Sequence, residues 1–431
     1  MLLNFPKIKT SMTTKLSLSD DITERYVEKL QDYFGAIESN LEDIDAHEVI
    51  EALSTLVSFK KYFASEEKWE HLISLSLEKV RQGIYQSKFH PFFAHSGIAH
   101  VAFTIQSLHE KTPSINRFMQ STSKLLAANI YRYLLSVNEA ELMLTNNFEL
   151  LYGFSGPLRY ALCLRHDNEL HNMAIELIEE LSEILVMRSD SKKMLGHTIT
   201  GWHYYPSAIE KIHWAGASEN GCVNYGVSHG IGGPLLTLAM VYGSGMDLQG
   251  VRKAIDDIVA EYLRASYYVN DIIYWPGRIT FEQQYVQQEE IAHVPNRMSW
   301  CYGSVGILRV LYLAATYISD KKLELLAINE LMKIAKMSTS EYLLVEPNIC
   351  HGLLSVALVM DEMYRDTKNS VFFDKVIELT GIVVNFIARM DSETSRVDMF
   401  NFLEGLSGMF QAIQSMANGC GDSVNRRLLI I

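Results

Sequence analysis

Cysteine is scarce in this chain, with five in 431 residues. An odd, thinly spread set excludes a disulfide framework and fits a reducing, cytosolic setting. Proline is also scarce, at nine, which leaves long stretches free to be helical. There is no excess of positive charge. The net charge of −13 argues against a nucleic-acid groove and for either basic partners or plain solubility. No apolar run is long enough to span a bilayer. The longest, near 230–242 and 306–318, are interrupted by glycine, proline, arginine or tyrosine and read as buried helices. The first twenty residues lack the apolar core of a signal peptide.

What is present builds a large core: 48% of residues are apolar and 21% charged. Segments 20–34, 48–64, 67–83, 118–136, 169–187, 248–267, 321–337 and 371–389 carry apolar residues at three- and four-residue spacing with charges between them. That pattern predicts amphipathic helices. A second class, at 98–108, 158–164, 234–242, 307–318, 353–363 and 409–416, is apolar nearly all round. A helix apolar on every side is buried on every side. The alternation of the two classes implies two layers, an outer ring around an inner ring.

Each apolar helix follows a turn of small residues. The series reads AHSG (94–97), GFSG (153–156), GIGG (230–233), GSVG (303–306), GLLS (352–355) and GLSG (405–408). The spacing, roughly 50 to 80 residues, is that of a repeat architecture. His229, Cys301, His351 and Glu404 each sit within two residues of such a turn. Two stretches break the helical pattern, 195–214 and 266–286, rich in aromatic and β-branched residues, the second containing the turn signal Pro276-Gly277. They predict a β-rich extension formed from about 190–216 and 265–290, inserted into a single all-α domain over 1–431.

Cys301 lies in WCYG (300–303), and Cys350 is followed by His351 and Gly352. Two sulfurs and an imidazole suit zinc and leave a fourth position open. Taken alone, the two cysteines read first as core residues, because their separation is that of neither a zinc finger nor a zinc ribbon. Cys163 and Cys420 read as small buried hydrophobes. His95, His197, His203, His213 and His293 are given no role.

The segments GCVNYGVSHG (221–230), RMSWCYG (297–303), ICHG (349–352) and FLEGLSG (402–408), in this order, resemble the lanthionine synthetase C-like cyclases of lantibiotic biosynthesis. With the turns at 94 and 153 the resemblance covers about three quarters of the chain. It implies an α/α toroid, a double ring of helices, with one Zn²⁺ held by Cys301, Cys350 and His351. It implies a dehydrated lantibiotic precursor peptide as substrate, whose cysteine thiolate adds to dehydroalanine or dehydrobutyrine. His229 is then the candidate acid/base, and Arg297 stabilises the enolate or orients a peptide carbonyl. Glu149 stands where the family places an aspartate, with an arm one methylene longer. Cys222 belongs to the His229 motif without being a ligand. Trp300 and Tyr302 read as wall residues, and Glu404 as a hydrogen-bonding partner at the rim.

This sequence departs from the family at Tyr152, where relatives often carry an acidic residue, at Ala94 and Ser355, which replace turn glycines, and at STLVS (54–58), where a first glycine turn is expected. The resemblance further implies a lantibiotic dehydratase and an exporter as partners in a membrane-associated complex. The expected place is cytoplasmic, peripheral at the inner face of the membrane. In family members the β extension is likened to SH2 folds, and here its aromatic surface is a candidate dock for the precursor's leader. Two other readings are glutathione addition to dehydrated residues and a scaffold of the modification complex. A glycoside hydrolase on a similar barrel would need a carboxylate pair, and nothing in that reading needs Cys-His.

Overall fold

The computed structural model describes residues 2–110, 112–207, 211, 218–287, 290–390 and 397–418. Cys420, His213 and part of the expected β extension lie outside the described residues. In chain order the helices are α1 (Phe5–Leu16), α2 (Asp20–Asn40), α3 (Ala46–Phe59), α4 (Glu66–Tyr85), α5 (Ile98–His109), α6 (Asn116–Ser136), α7 (Glu139–Leu144), α8 (Ser155–Leu164), α9 (His171–Ser189), α10 (Gly232–Gly243), α11 (Val251–Ala265), α12 (Ser304–Ile318), α13 (Lys321–Ala335), α14 (Leu353–Thr367), α15 (Ser370–Arg389) and α16 (Leu406–Asn418). Six short strands join them: β1 (Lys192–Met194), β2 (His197–Ile199), β3 (Cys222–Asn224), β4 (Tyr267–Val269), β5 (Ile272–Tyr274) and β6 (Arg278–Thr280). The chain forms two compact units, one from Met1–His90, His100–Met119 and Ala335–Ile431, the other from Pro91–Ala99 and Gln120–Ile334.

In the second unit α8, α10 and α12 are buried almost all round. α10 packs on α8, α11 and α12, and α9 and α11 cover the outside. α11 buries one stripe only, Val251, Ala254, Ile255, Ile258, Tyr262 and Ala265, the spacing of a helix with one wet face. In the first unit α3, α14 and α16 are the buried helices, with α2, α4 and α15 packed on them.

The fully buried state of α3 differs from the amphipathic helix expected at 48–64. Its polar residues are hydrogen-bonded to α16. The hydroxyls of Thr55 and Ser407 are 2.7 Å apart, Ser407 donates to the Glu51 carbonyl at 3.0 Å, and Gln411 Nε2 donates to Ser54 Oγ at 2.8 Å. Satisfied polar groups are buried at little cost, so the STLVS segment is helix interior and no turn. The β segments form three two-stranded sheets among the described residues, and a bridge from Tyr204 to Cys222 ties the first segment to β3. β1 pairs with β2, β4 with β5, and β3 with β6, all antiparallel. Pro276-Gly277 therefore passes the chain from one two-stranded sheet to another.

The buried helices α8, α10, α12 and α14 start without a side-chain cap. Their first amides need acceptors that water cannot supply. The preceding turn folds back and offers carbonyls: Gly306 N donates to Ser299 O at 3.4 Å, Leu353 N to Glu346 O at 2.9 Å and, for α16, Leu406 N to Asp398 O at 2.9 Å. That path runs so close that a Cβ on Gly306 would collide with the Trp300 carbonyl, and one on Gly408 with the Phe402 carbonyl. Glycine is required there for close approach. Gly306→Ala is expected to destabilise the protein by about 1–3 kcal/mol, seen as a lower urea midpoint. An unchanged midpoint would mean that the turn has room that the backbone path denies.

Candidate active site

The residues singled out in the sequence lie on these helix-capping turns. In the second unit, three loops are stitched by their backbones. Leu150 N donates to Ser228 O at 3.2 Å, Val227 N to Cys301 O at 2.8 Å, and Tyr225 N to Gly277 O at 3.0 Å. Asn146 Nδ2 also donates to His229 O at 3.1 Å. These bonds bring the loops of Glu149, His229 and Cys301 together.

Glu149 is buried, and its carboxylate is held by its own turn. It accepts from Leu151 N at 3.0 Å and from Tyr152 N. Its Oε2 lies 3.1 Å from His229 Nδ1. The longer arm of glutamate is thus taken up by the loop, and the carboxylate still meets the histidine. Asn348 occupies the same place four residues before Gly352 and braces its turn in the same way, so part of the role of Glu149 is to shape the loop. The contact assigns the proton on Nδ1 and leaves Nε2 for chemistry. Burial pulls the His229 pKa down, but the charge and hydrogen bond of Glu149, helped by Cys301, outweigh it and leave the group above its ordinary value. The side chain keeps 31% exposure, enough to be reached by a substrate.

Cys301 is buried, and its sulfur lies 3.9 Å from Arg297 Nη2 and 3.6 Å from Ser299 Oγ. A guanidinium and a hydroxyl beside a sulfur favour the thiolate. Tyr302 is more than a wall residue. Its hydroxyl oxygen accepts from Asn224 Nδ2 at 2.8 Å and from Arg278 Nη2 at 3.3 Å. Burial is the main reason its pKa is pushed up to about 12, so it stays protonated. The pairing of β3 with β6 sets Asn224 opposite Arg278, and so aims both at this one phenol. Neither residue was singled out in the sequence. A signal for Asn224 existed, an asparagine two before a glycine, and its Oδ1 does accept from Gly226 N at 2.9 Å. Nothing local marks Arg278, because its place depends on strand register.

In the first unit, Asn348 Oδ1 accepts from the amides of Cys350 at 3.1 Å and His351 at 2.9 Å. This Asx turn presents the two side chains side by side. Cys350 is buried and His351 half-buried. Glu404 Oε1 lies 3.6 Å from His351 Nδ1, an ion-pair distance and longer than the hydrogen bond expected of this residue. None of Cys163, Cys222, Cys301 and Cys350 is in a disulfide, and Cys163 is half-buried where a buried residue was expected. Four of the histidines given no role have the following neighbours. His203 Nε2 is 2.7 Å from Asn220 O, His293 stacks on Tyr267 at 4.6 Å, His197 lies against Phe281, and His95 lies 6.2 Å from the Tyr152 ring. Among the described residues no helix is long and apolar enough to cross a membrane.

Comparison with known proteins is consistent across three levels. The family model for lanthionine synthetase C-like proteins matches residues 53–427. The nisin biosynthesis protein NisC of Lactococcus lactis subsp. lactis is 22% identical over 344 residues, covering 78% of this chain and 77% of NisC. The solved structure of a nisin cyclase superposes with a TM-score of 0.78 at 17% identity, covering 93% of this chain and 97% of that one. The fold class is therefore the expected all-α one, an α/α toroid with small sheet elements. By the match of its family model over most of its length, the chain belongs to the lanthionine synthetase C-like proteins.

Proposed function

We propose that this protein is a zinc-dependent cyclase acting on a dehydrated lantibiotic precursor peptide. It adds a cysteine thiol of the peptide across the double bond of a dehydroalanine or dehydrobutyrine and so closes lanthionine or methyllanthionine rings. In this reading Cys301, Cys350 and His351 hold one Zn²⁺. The donor chemistry fits: two buried, reduced cysteines and a half-buried imidazole are soft ligands suited to zinc. Glu404 beside His351 is the kind of outer partner that orients a metal-binding imidazole. When bound, zinc supplies the ionisation of the peptide thiol, which free in solution has a pKa of about 8.5.

The chain's own residues then handle charge and proton. A C–S bond forms at the β-carbon, and the electron pair of the C=C bond moves onto the α-carbon and its carbonyl. The resulting enolate takes one proton at the α-carbon. One proton leaves the thiol and one is gained at carbon, so the peptide keeps its mass. His229, protonated, donates from Nε2 while Glu149 steadies Nδ1. Arg297, a fixed cation beside Cys301, faces the developing enolate oxygen. Dehydration of serine and threonine must come first, which calls for a dehydratase as partner. The observation that carries the reading is the His229–Glu149 pair, attached through the Val227–Cys301 backbone bond to the loop of a metal-suited cysteine.

Cys301→Ala is expected to lose stoichiometric zinc and ring formation while keeping its helical circular dichroism. Cyclisation above the spontaneous rate by that variant, followed by thiol alkylation and mass spectrometry, would contradict the metal assignment. His229→Ala is expected to keep its zinc and slow the reaction by roughly 10²–10⁴-fold; loss of metal would mean the residue had been given the wrong work. The raised His229 pKa keeps the acid form present to higher pH, and the rate should fall as pH rises through it. Glu149→Gln removes the charge that raises it, so that fall should move to lower pH. A limb that stays in place would separate Glu149 from the proton donor.

A further inference from the structure

We infer that Tyr152 is a positioning residue that fixes the plane of the His229 imidazole; the inference rests on the acid/base reading of His229. The single hydrogen bond between Nδ1 and Glu149 orients the ring but, being one soft contact, tolerates rocking of its plane. The Tyr152 ring supplies the missing restraint. It stacks on the imidazole at a centroid distance of 5.2 Å and an angle of 24°, whereas Tyr302 is farther and more tilted, at 6.4 Å and 35°. Tyr152 is itself held. Its ring leans on Phe93 at 5.0 Å, and its backbone amide donates to Glu149 Oε1. One residue therefore grips both members of the pair, the carboxylate through its backbone and the imidazole through its side chain.

Tyr152 is 40% exposed, and the ring neighbours that hold it are Phe93 and the His229 imidazole. A proton donor must be within a narrow range of angle to reach a carbon atom, and small misplacements are costly. The face of the ring is what the geometry uses, so phenylalanine should serve as well as tyrosine.

The test compares Tyr152→Phe, Tyr152→Leu and Tyr152→Ala, each alone and combined with His229→Ala, in the full-length zinc protein with a dehydrated precursor peptide. Zinc content and circular dichroism check folding, and two non-aromatic variants give independent chances of a folded protein. Loss of the stacked face should lower kcat about three- to tenfold, with KM and zinc content unchanged. Tyr152→Phe should restore the wild-type rate, and Tyr152→Leu should cost nothing further once His229 is alanine. Three results would each overturn the inference: a wild-type kcat in both Leu and Ala variants, an equal loss in Tyr152→Phe, or the same loss in the His229→Ala background. A wild-type rate for His229→Ala alone overturns the acid/base reading and this inference with it. A slow His229→Ala beside a silent Tyr152→Leu overturns this inference only.

Discussion

A helix buried on all sides has amides at its start that no water can reach, and the arrangement of this protein follows from how they are satisfied. The chain folds a short loop over each such helix and offers backbone carbonyls, as Ser299 does for Gly306 and Glu346 for Leu353. Backbone so close to a helix end leaves no space for a side chain at positions such as Gly306 and Gly408. The same loops then present their outward residues from a rigid base. Glu149, His229, Cys301, Cys350 and His351 all sit on these turns. Their positions are set by the demand for buried hydrogen bonds, and chemistry makes use of a geometry that folding already requires.

Local periodicity carries the helical layers well. The apolar runs at 234–242 and 307–318 became α10 and α12, buried almost all round, and the one-sided pattern at 248–267 became α11. It misplaced α3, because Ser54 and Thr55 look like a wet face until their partners on α16, some 350 residues away, are known. The strands were harder still. Three-residue strands carry almost no alternation, and whether β6 pairs with β5 or with β3 is decided by contacts that a sequence does not list in order. That is also why Arg278 and Asn224 escaped notice although they share one tyrosine hydroxyl. Cys301, Cys350, His351 and His229 entered the reading through the resemblance carried by WCYG (300–303), ICHG (349–352) and the motif at 221–230; taken alone, the two cysteines read as core residues.

The chemistry proposed for the site divides into two jobs with opposite needs. A metal-holding sulfur needs stabilised negative charge, and Arg297 and Ser299 stand beside Cys301. A proton donor needs a raised pKa, and Glu149 provides it at His229. Glutamate in place of aspartate does not break the second arrangement, because Leu151 and Tyr152 amides absorb the extra length. Substitution at such a place is tolerated when backbone donors, and not chain length, fix where the carboxylate ends.

Zinc K-edge absorption of the purified protein, with and without a cysteine-containing dehydrated peptide, reaches the centre of this account most directly. The account predicts one zinc with two sulfur scatterers at about 2.3 Å in the free protein and a third when the peptide is added. A protein without zinc, or a zinc whose sulfur count is zero or does not rise with peptide, would contradict it.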